Sequence, residues 1–332
     1  MSASRPCPDC ESRAGFDRRD FLKASAAGLA LPALAGSVSW LQAEDKAATT
    51  PETRVAQLYK SLSDEQRKLC SYAFDHPLRQ DVNNNWFINE SRIGKHFTGE
   101  QQKLIEEIFL NLHSPEYAAQ VMEQVDHDGG FHDCAVALFG EPGTGKFEFV
   151  LTGRHVTRRC DGDSVAGAAF GGPIFYGHAA QAFNEAPDHA GNIYWYQAKR
   201  ANELFQALSG KQREVALLGT GRPEKGTETV KLAGQGQELP GLPFGELTSD
   251  QKTLAKKVMS DLLAPFRDVD RAESMKLIEA NGFDSVHLSY YKNQDIGNDG
   301  VWDVWMLEGP AMVWYFRGAP HVHTWVHIRD KA

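Results

Sequence analysis

Along this chain the pattern of apolar and polar positions changes period. It is helical at the N-terminal end and in the mid-section, and it alternates residue by residue in the centre and towards the C-terminus. One local phrase marks the helical parts: Leu62-Ser63-Asp64-Glu65-Gln66, Phe97-Thr98-Gly99-Glu100-Gln101, Leu208-Ser209-Gly210-Lys211-Gln212 and Leu247-Thr248-Ser249-Asp250-Gln251. Each is an apolar residue, then Ser or Thr, then Gln three residues on. This is the capping box, in which hydroxyl and carboxamide satisfy amide groups that a helix start leaves without partners. The phrases predict helices beginning near 64, 99, 211 and 250. Repeated use of one capping solution accounts for them better than an internal duplication. Ser114-Pro115 opens a further predicted helix running to about Val125, and Asp268 to Ala280, closed by Asn281-Gly282, another.

The strand pattern has period 2. Residues 131–139 and 147–160 read as strands joined by the turn Gly140-Glu141-Pro142-Gly143-Thr144-Gly145, and after Gly282 come 284–291, 300–307, 311–317 and 321–328. Helices and strands are segregated rather than alternating. The fold class is therefore α+β: a largely antiparallel sheet with helices packed on it, a helical N-terminal part and a strand-rich C-terminal part. A hairpin turning at 140–146 sets Cys134 opposite about residue 152 rather than Cys160, which predicts no disulfide between the two cysteines. Trp302, Trp305, Trp314, Tyr315, Phe316 and Trp325 gather near the end of the chain and read mostly as sheet core, with Trp325 the exception because it shares a face with histidines.

Composition adds bounds. The chain has 332 residues, 42% hydrophobic and 24% charged, with a formal charge of −9. This is a soluble, globular balance, and without a basic patch it excludes a nucleic-acid partner. Asp17-Arg18-Arg19-Asp20-Phe21-Leu22-Lys23 followed by the apolar run Ala24 to Ala35 has the form of a twin-arginine signal. The run is too short to span a bilayer, so no stable membrane anchor is expected. The reading is a signal over 1–43, a flexible leader over 44–54 and a single domain over 55–332. The twin-arginine export machinery is then a partner, and the location is periplasmic or secreted.

Two motifs are set aside. Gly140 to Lys146 fits the start of a phosphate-binding loop, but Phe147 stands where Ser or Thr is needed and a strand, not a helix, follows. Asp126-His127-Asp128-Gly129-Gly130 lacks the closing Glu of a calcium loop and reads as a polar turn into the next strand.

The candidate chemistry is carried by histidine. His321, His323, Trp325 and His327 share one strand face while Val322, Val326 and Ile328 share the other, and alternate residues stand roughly 7 Å apart. Both rings of His321 and His323 can thus meet one ion. In the central strand Phe147, Phe149, Leu151, Gly153, His155 and Thr157 fall on one face, so His155 is the expected third ligand. Three imidazoles and an open position suit copper or zinc better than calcium or magnesium. His178, after the glycine-rich run Gly171 to Gly177, is a reserve ligand or acid/base group, with His327 the other alternative. Asp161 and Asp163 are the candidate proton acceptors, and Arg154 and Arg158 offer supporting or anion-binding groups.

Gly153-Arg154-His155, Gly171-Gly172-Pro173-Ile174-Phe175, Gly309-Pro310 and His321-Val322-His323-Thr324 with Arg329 together resemble the family catalogued as domain of unknown function 3500. The resemblance covers about residue 55 to the end. The family pattern has Gly-His-His where this chain has Gly-Arg-His, so His155 alone matches there. The resemblance implies an architecture and a histidine set, and no activity. The expectation is an exported protein with a metal site of His155, His321 and His323 that runs a hydrolytic or oxidative reaction on a small-molecule ligand. The alternative is a non-catalytic exported binding protein whose histidines are structural.

Overall fold

In a computed structural model, residues 50–178, 192–292, 295 and 298–332 are described. The predicted signal and most of the predicted leader lie outside them. Helix α1 (Pro51–Ser61) already begins at Pro51, with Thr50 as its cap, so the leader predicted to reach residue 54 gives way to helix sooner. Proline at the first helical position and a threonine hydroxyl before it explain that start.

Eight further helices follow among the described residues: α2 (Asp64–Cys70), α3 (Ile93–His96), α4 (Gly99–Asn111), α5 (Ala118–Asp128), α6 (Tyr196–Ala207), α7 (Gly210–Ala216), α8 (Ser249–Leu262) and α9 (Asp268–Ala280). All four capping phrases form complete boxes, at the starts of α2, α4, α7 and α8. Each is worth on the order of 1 kcal/mol. They also interlock in pairs, which no local reading foresees. The Gln66 amide donates to the His96 carbonyl and to Gln101 Oε1, and Gln101 Nε2 donates back to Gln66 Oε1 at 3.0 Å. Gln212 and Gln251 repeat the arrangement, with Glu246 supplying the carbonyl.

Among the described residues eleven strands form one mostly antiparallel sheet: β1 (Ser71–Tyr72), β2 (Ala135–Gly140), β3 (Phe147–Gly153), β4 (Val156–Cys160), β5 (Ile174–His178), β6 (Leu217–Leu218), β7 (Leu242–Pro243), β8 (His287–Tyr291), β9 (Val304–Gly309), β10 (Met312–Arg317) and β11 (Val322–Ile328). Their order is β1-β2-β3-β4-β5-β11-β10-β9-β8-β6, with β7 beside β8, and β1/β2 and β6/β8 are the parallel pairs. The α+β expectation therefore holds, with helices more N-terminal and strands towards the C-terminus.

Alternation sorts the core onto two faces. Ile174, Tyr176, Trp305, Trp314, Phe316, Val322 and Val326 belong to the large core shared with the helices. On the other face Phe175, Met306, Val313, Tyr315 and Trp325 pack with Val82 and Val230 from two long connecting segments. Trp305, Trp314 and Trp325 are fully buried, as sheet-core residues should be.

Three local expectations change. The predicted strand 147–160 is two strands, reversing at Arg154-His155 with Gly153 paired to Val156. His155 sits there at φ 55°, in left-handed backbone that non-glycine residues adopt rarely. Neither Arg nor His announces a two-residue turn, so the alternation appeared continuous through it. The helix expected to open at Ser114-Pro115 begins at Ala118. Asp128, placed in a polar turn by the sequence, ends helix α5 instead and is buried.

Candidate metal centre

The turn between β3 and β4 is pinned on both sides. The His155 amide donates to the Asn84 carbonyl at 2.9 Å, and the His155 carbonyl accepts from the Gly177 amide at 3.1 Å. This holds the imidazole beside β11, where His323 pairs across the sheet with Gly177. A side chain at residue 177 would strike the Val322 carbonyl, so the close approach of β5 and β11 at His323 requires glycine. His321 enters from the segment just before β11. His155 and His323 are buried and His321 is half-buried.

The three rings present Nε2 atoms to one another. His155 Nε2 lies 3.0 Å from His323 Nε2, and His321 Nε2 lies 2.9 Å from the same atom. Two of the rings are backed by carboxylates. His155 Nδ1 is 3.0 Å from Asp128 Oδ2, and His323 Nδ1 is 2.8 Å from Glu224 Oε2. Glu224 also accepts from Trp325 Nε1 at 2.9 Å and from Arg317 Nε at 3.0 Å. Burial alone would raise its carboxyl pKa, but the hydrogen bond from His323 and the nearby cations outweigh burial and bring it down to about 2. The Arg317 guanidinium also touches His323 Nδ1. An ionised carboxylate can only accept and a guanidinium can only donate; with Arg317 held beside the ring by its own bond to Glu224, the carboxylate contact puts the proton on Nδ1 of His323 and leaves its Nε2 lone pair facing inward. His155 Nδ1 faces the Asp128 carboxylate in the same way.

Burial, then the neighbouring His323, His155 and Arg317, push the His321 pKa down to about 3. Burial likewise brings His323 down to about 4, against the opposing pull of Glu224. At neutral pH both rings are uncharged and available as donors. With Nδ1 of His155 and His323 turned to carboxylates, their Nε2 lone pairs lie 3.0 Å apart and repel unless a cation lies between them. Tetrahedral zinc with Zn–N of about 2.0–2.1 Å sets its nitrogens roughly 3.3 Å apart, close to this spacing. Ligand atoms of His155, His321 and His323 all fall within 4.8 Å of one another, and among the described residues no other His, Cys, Asp or Glu group is so disposed.

The other candidates are placed elsewhere. His178 projects to the helix-side face of the sheet, behind Asp128, with Nδ1 3.8 Å from Asp128 Oδ2. His327 is turned to the Val230 carbonyl at 3.0 Å. Asp161 and Asp163 follow the far end of β4, and at ~3.3 Å per strand residue that is on the order of 20 Å from His155. They line a separate cleft of about 520 Å³ with Glu52, Arg267, Asp270 and Glu273. Arg158 runs inward to His113 and Tyr194, while Arg154 faces a cleft of about 290 Å³ that also reaches Asp128.

Residues 44–330 match the family described as a protein of unknown function (DUF3500). The chain belongs to the DUF3500 family. No curated protein and no solved structure matches it. In this DUF3500 chain His155 of the phrase Gly153-Arg154-His155 and His321 and His323 of the phrase His321-Val322-His323-Thr324 come together in one cluster. Asp128 and Glu224 were missed. Glu224 lies in an irregular segment without periodicity, and the one available signal was Trp325, whose indole on the histidine face needed a buried acceptor.

Proposed function

We propose that this DUF3500 protein is an exported metalloprotein that binds one zinc or copper ion through His155, His321 and His323 and uses it in catalysis. The observation that carries the proposal is the pair of carboxylate-backed imidazoles. Asp128 and Glu224 each hold a ring by Nδ1, so that Nε2 lone pairs converge where only a cation relieves their repulsion. No cysteine or methionine belongs to this set, which favours zinc, with Cu(II) next. Three protein donors leave a position for water, whose pKa zinc lowers to about 7, and hydrolysis of a small-molecule substrate is the reaction best suited to that set. Export is supported by the twin-arginine phrase at Arg18-Arg19 and the apolar run after it.

Elemental analysis of protein exported by its own signal tests this directly. About one ion per chain is expected, falling below about a tenth in the double variant His321→Ala, His323→Ala with its circular dichroism unchanged. Metal content that survives the double substitution would show that these residues are not the ligands. Cobalt substitution should add the visible absorption of a tetrahedral nitrogen-donor site in the parent alone.

A further inference from the structure

The strand order is symmetric about the β5–β11 pair, and the symmetry extends to individual residues. We infer that the domain is a tandem duplication, with residues 50–178 and 196–330 as its two copies, and that the histidine centre, built by His155 of the first copy and His321 and His323 of the second, occupies only one of the two equivalent points between them. Each copy runs helix, capping-box helix, short strand, capping-box helix, helix, 3-10 turn and four strands, with α3 inserted after the short strand in the first, β7 at that place in the second, and further 3-10 turns between. In each, the short strand pairs parallel with the first long strand, Ser71 with Leu138 and Leu217 with Tyr290.

Hydrogen bonds repeat at matching positions. Gln66 with Gln101 corresponds to Gln212 with Gln251, down to the donation of the second Gln to the carbonyl of Ser61 or Ala207. Arg67 stacks on Tyr59 and bonds its carbonyl, and Arg213 does the same with Phe205. Buried positions of α4 (Gln101, Ile105, Ile108, Phe109) recur in α8 as Gln251, Ala255, Val258 and Met259.

The sheet registers complete the correspondence. Gly153 pairs with Val156 and Gly309 with Met312, which makes Ala311 the counterpart of His155. Val156 pairs with Tyr176 and Met312 with Ile328, so Ile174 corresponds to Val326. Those two residues pair with each other. Antiparallel strands that pair at equivalent residues are related by a two-fold axis through that pair. The Gly177 amide bonds the His155 carbonyl, and its counterpart Arg329 bonds that of Ala311.

Capping chemistry that merely converged would reproduce four boxes. It would not reproduce their pairing, the stacked arginines, the parallel short strands and the self-paired axis residues. The counterparts of His321 and His323 are Ala169 and Gly171, in a 3-10 turn rather than a strand. The equivalent point, where Ala311 of the second copy meets Ala169 and Gly171 of the first, therefore carries no such donors.

Because His178 and Asp330 are equivalent, as are Tyr196 and Thr50, the chain that crosses from His178 to Tyr196 should also span from Asp330 to Thr50. A circular permutant opened between residues 185 and 186, with Asp330 joined to Thr50 by a Gly/Ser linker matching 179–195 in length, tests this. It should keep the circular dichroism of the parent and its metal affinity within about threefold. An experimental structure should also superpose the two copies with Gln66 on Gln212, Gly153 on Gly309 and Ile174 on Val326. A permutant that cannot fold denies that the crossings are equal, and a superposition in any other register overturns the duplication.

Discussion

The two ends of the central strand pair differ more than the frame that carries them. At one end the turn reads Gly153-Arg154-His155-Val156, and at the other Gly309-Pro310-Ala311-Met312. Helix α5 closes on buried Asp128, whose carboxylate reaches His155, whereas α9 closes on Ala280 and Asn281, whose amide bonds the Arg329 carbonyl. At one end β11 extends through His323, while at the other the chain before β5 leaves the sheet for a 3-10 turn containing Phe170 at φ 59°. One hydrogen-bonded frame thus supports a polar convergence at one end and ordinary packing at the other. The scaffold does not dictate the chemistry: what separates the ends is a handful of side chains and one pair of carboxylates.

The largest expected effects break the polar end. Asp128→Asn and Glu224→Gln should each weaken metal binding by about 10–100-fold, read by competition with a chromophoric chelator, because the amide no longer fixes Nδ1–H on its ring. Ala311→Ser, at the equivalent place in the other copy, should leave that affinity unchanged. Equal losses at both ends would remove the distinction between them.

Next come matched changes to the frame. Gln66→Ala and Gln212→Ala each remove a capping partner and leave the other glutamine of the pair short of a bond, a loss of about 2 kcal/mol in urea unfolding. The two values should agree to within about 0.5 kcal/mol and add in the double variant.

The smallest effect concerns acid groups that α9 contributes beside Asp161. Burial, with Asp161, Asp270 and Asp163 nearby, pushes the Glu273 carboxyl up to about 7 from 4.5. Across that interval the folded chain keeps a proton that the unfolded chain has released, so stability falls as pH rises from about 4.5 to 7. Because Glu273 is half-exposed, solvent screening reduces the cost to about 1 kcal/mol. Glu273→Gln should raise the Tm by a few degrees at pH 8 and leave it unchanged at pH 4.

What was legible in the sequence was local. The four helix starts could be read because a hydroxyl, two spacers and a carboxamide carry the capping chemistry within four residues. The C-terminal strands could be read because side-chain alternation is also local, and with them His321 and His323. His155 was identified for an imperfect reason. Alternation assigns it to a strand face, whereas it occupies a tight turn that its residue type does not advertise. Asp128 and Glu224 act on His155 and His323 from 27 and 99 residues away, and no spacing rule spans such distances. The duplication was obscured because strands tolerate any residues that keep their faces apolar: Ala135-Val136-Ala137-Leu138 and His287-Leu288-Ser289-Tyr290 fill equivalent places with nothing in common but pattern.

The doubled glutamine clasp has a consequence for how the frame meets its surroundings. Each clasp joins two neutral carboxamides through reciprocal donation, so neither acid nor added salt alters its strength directly. Two such joints fasten the capping-box helices of both copies without an ion pair between them. The medium can act on the histidine end while these two joints stay unchanged.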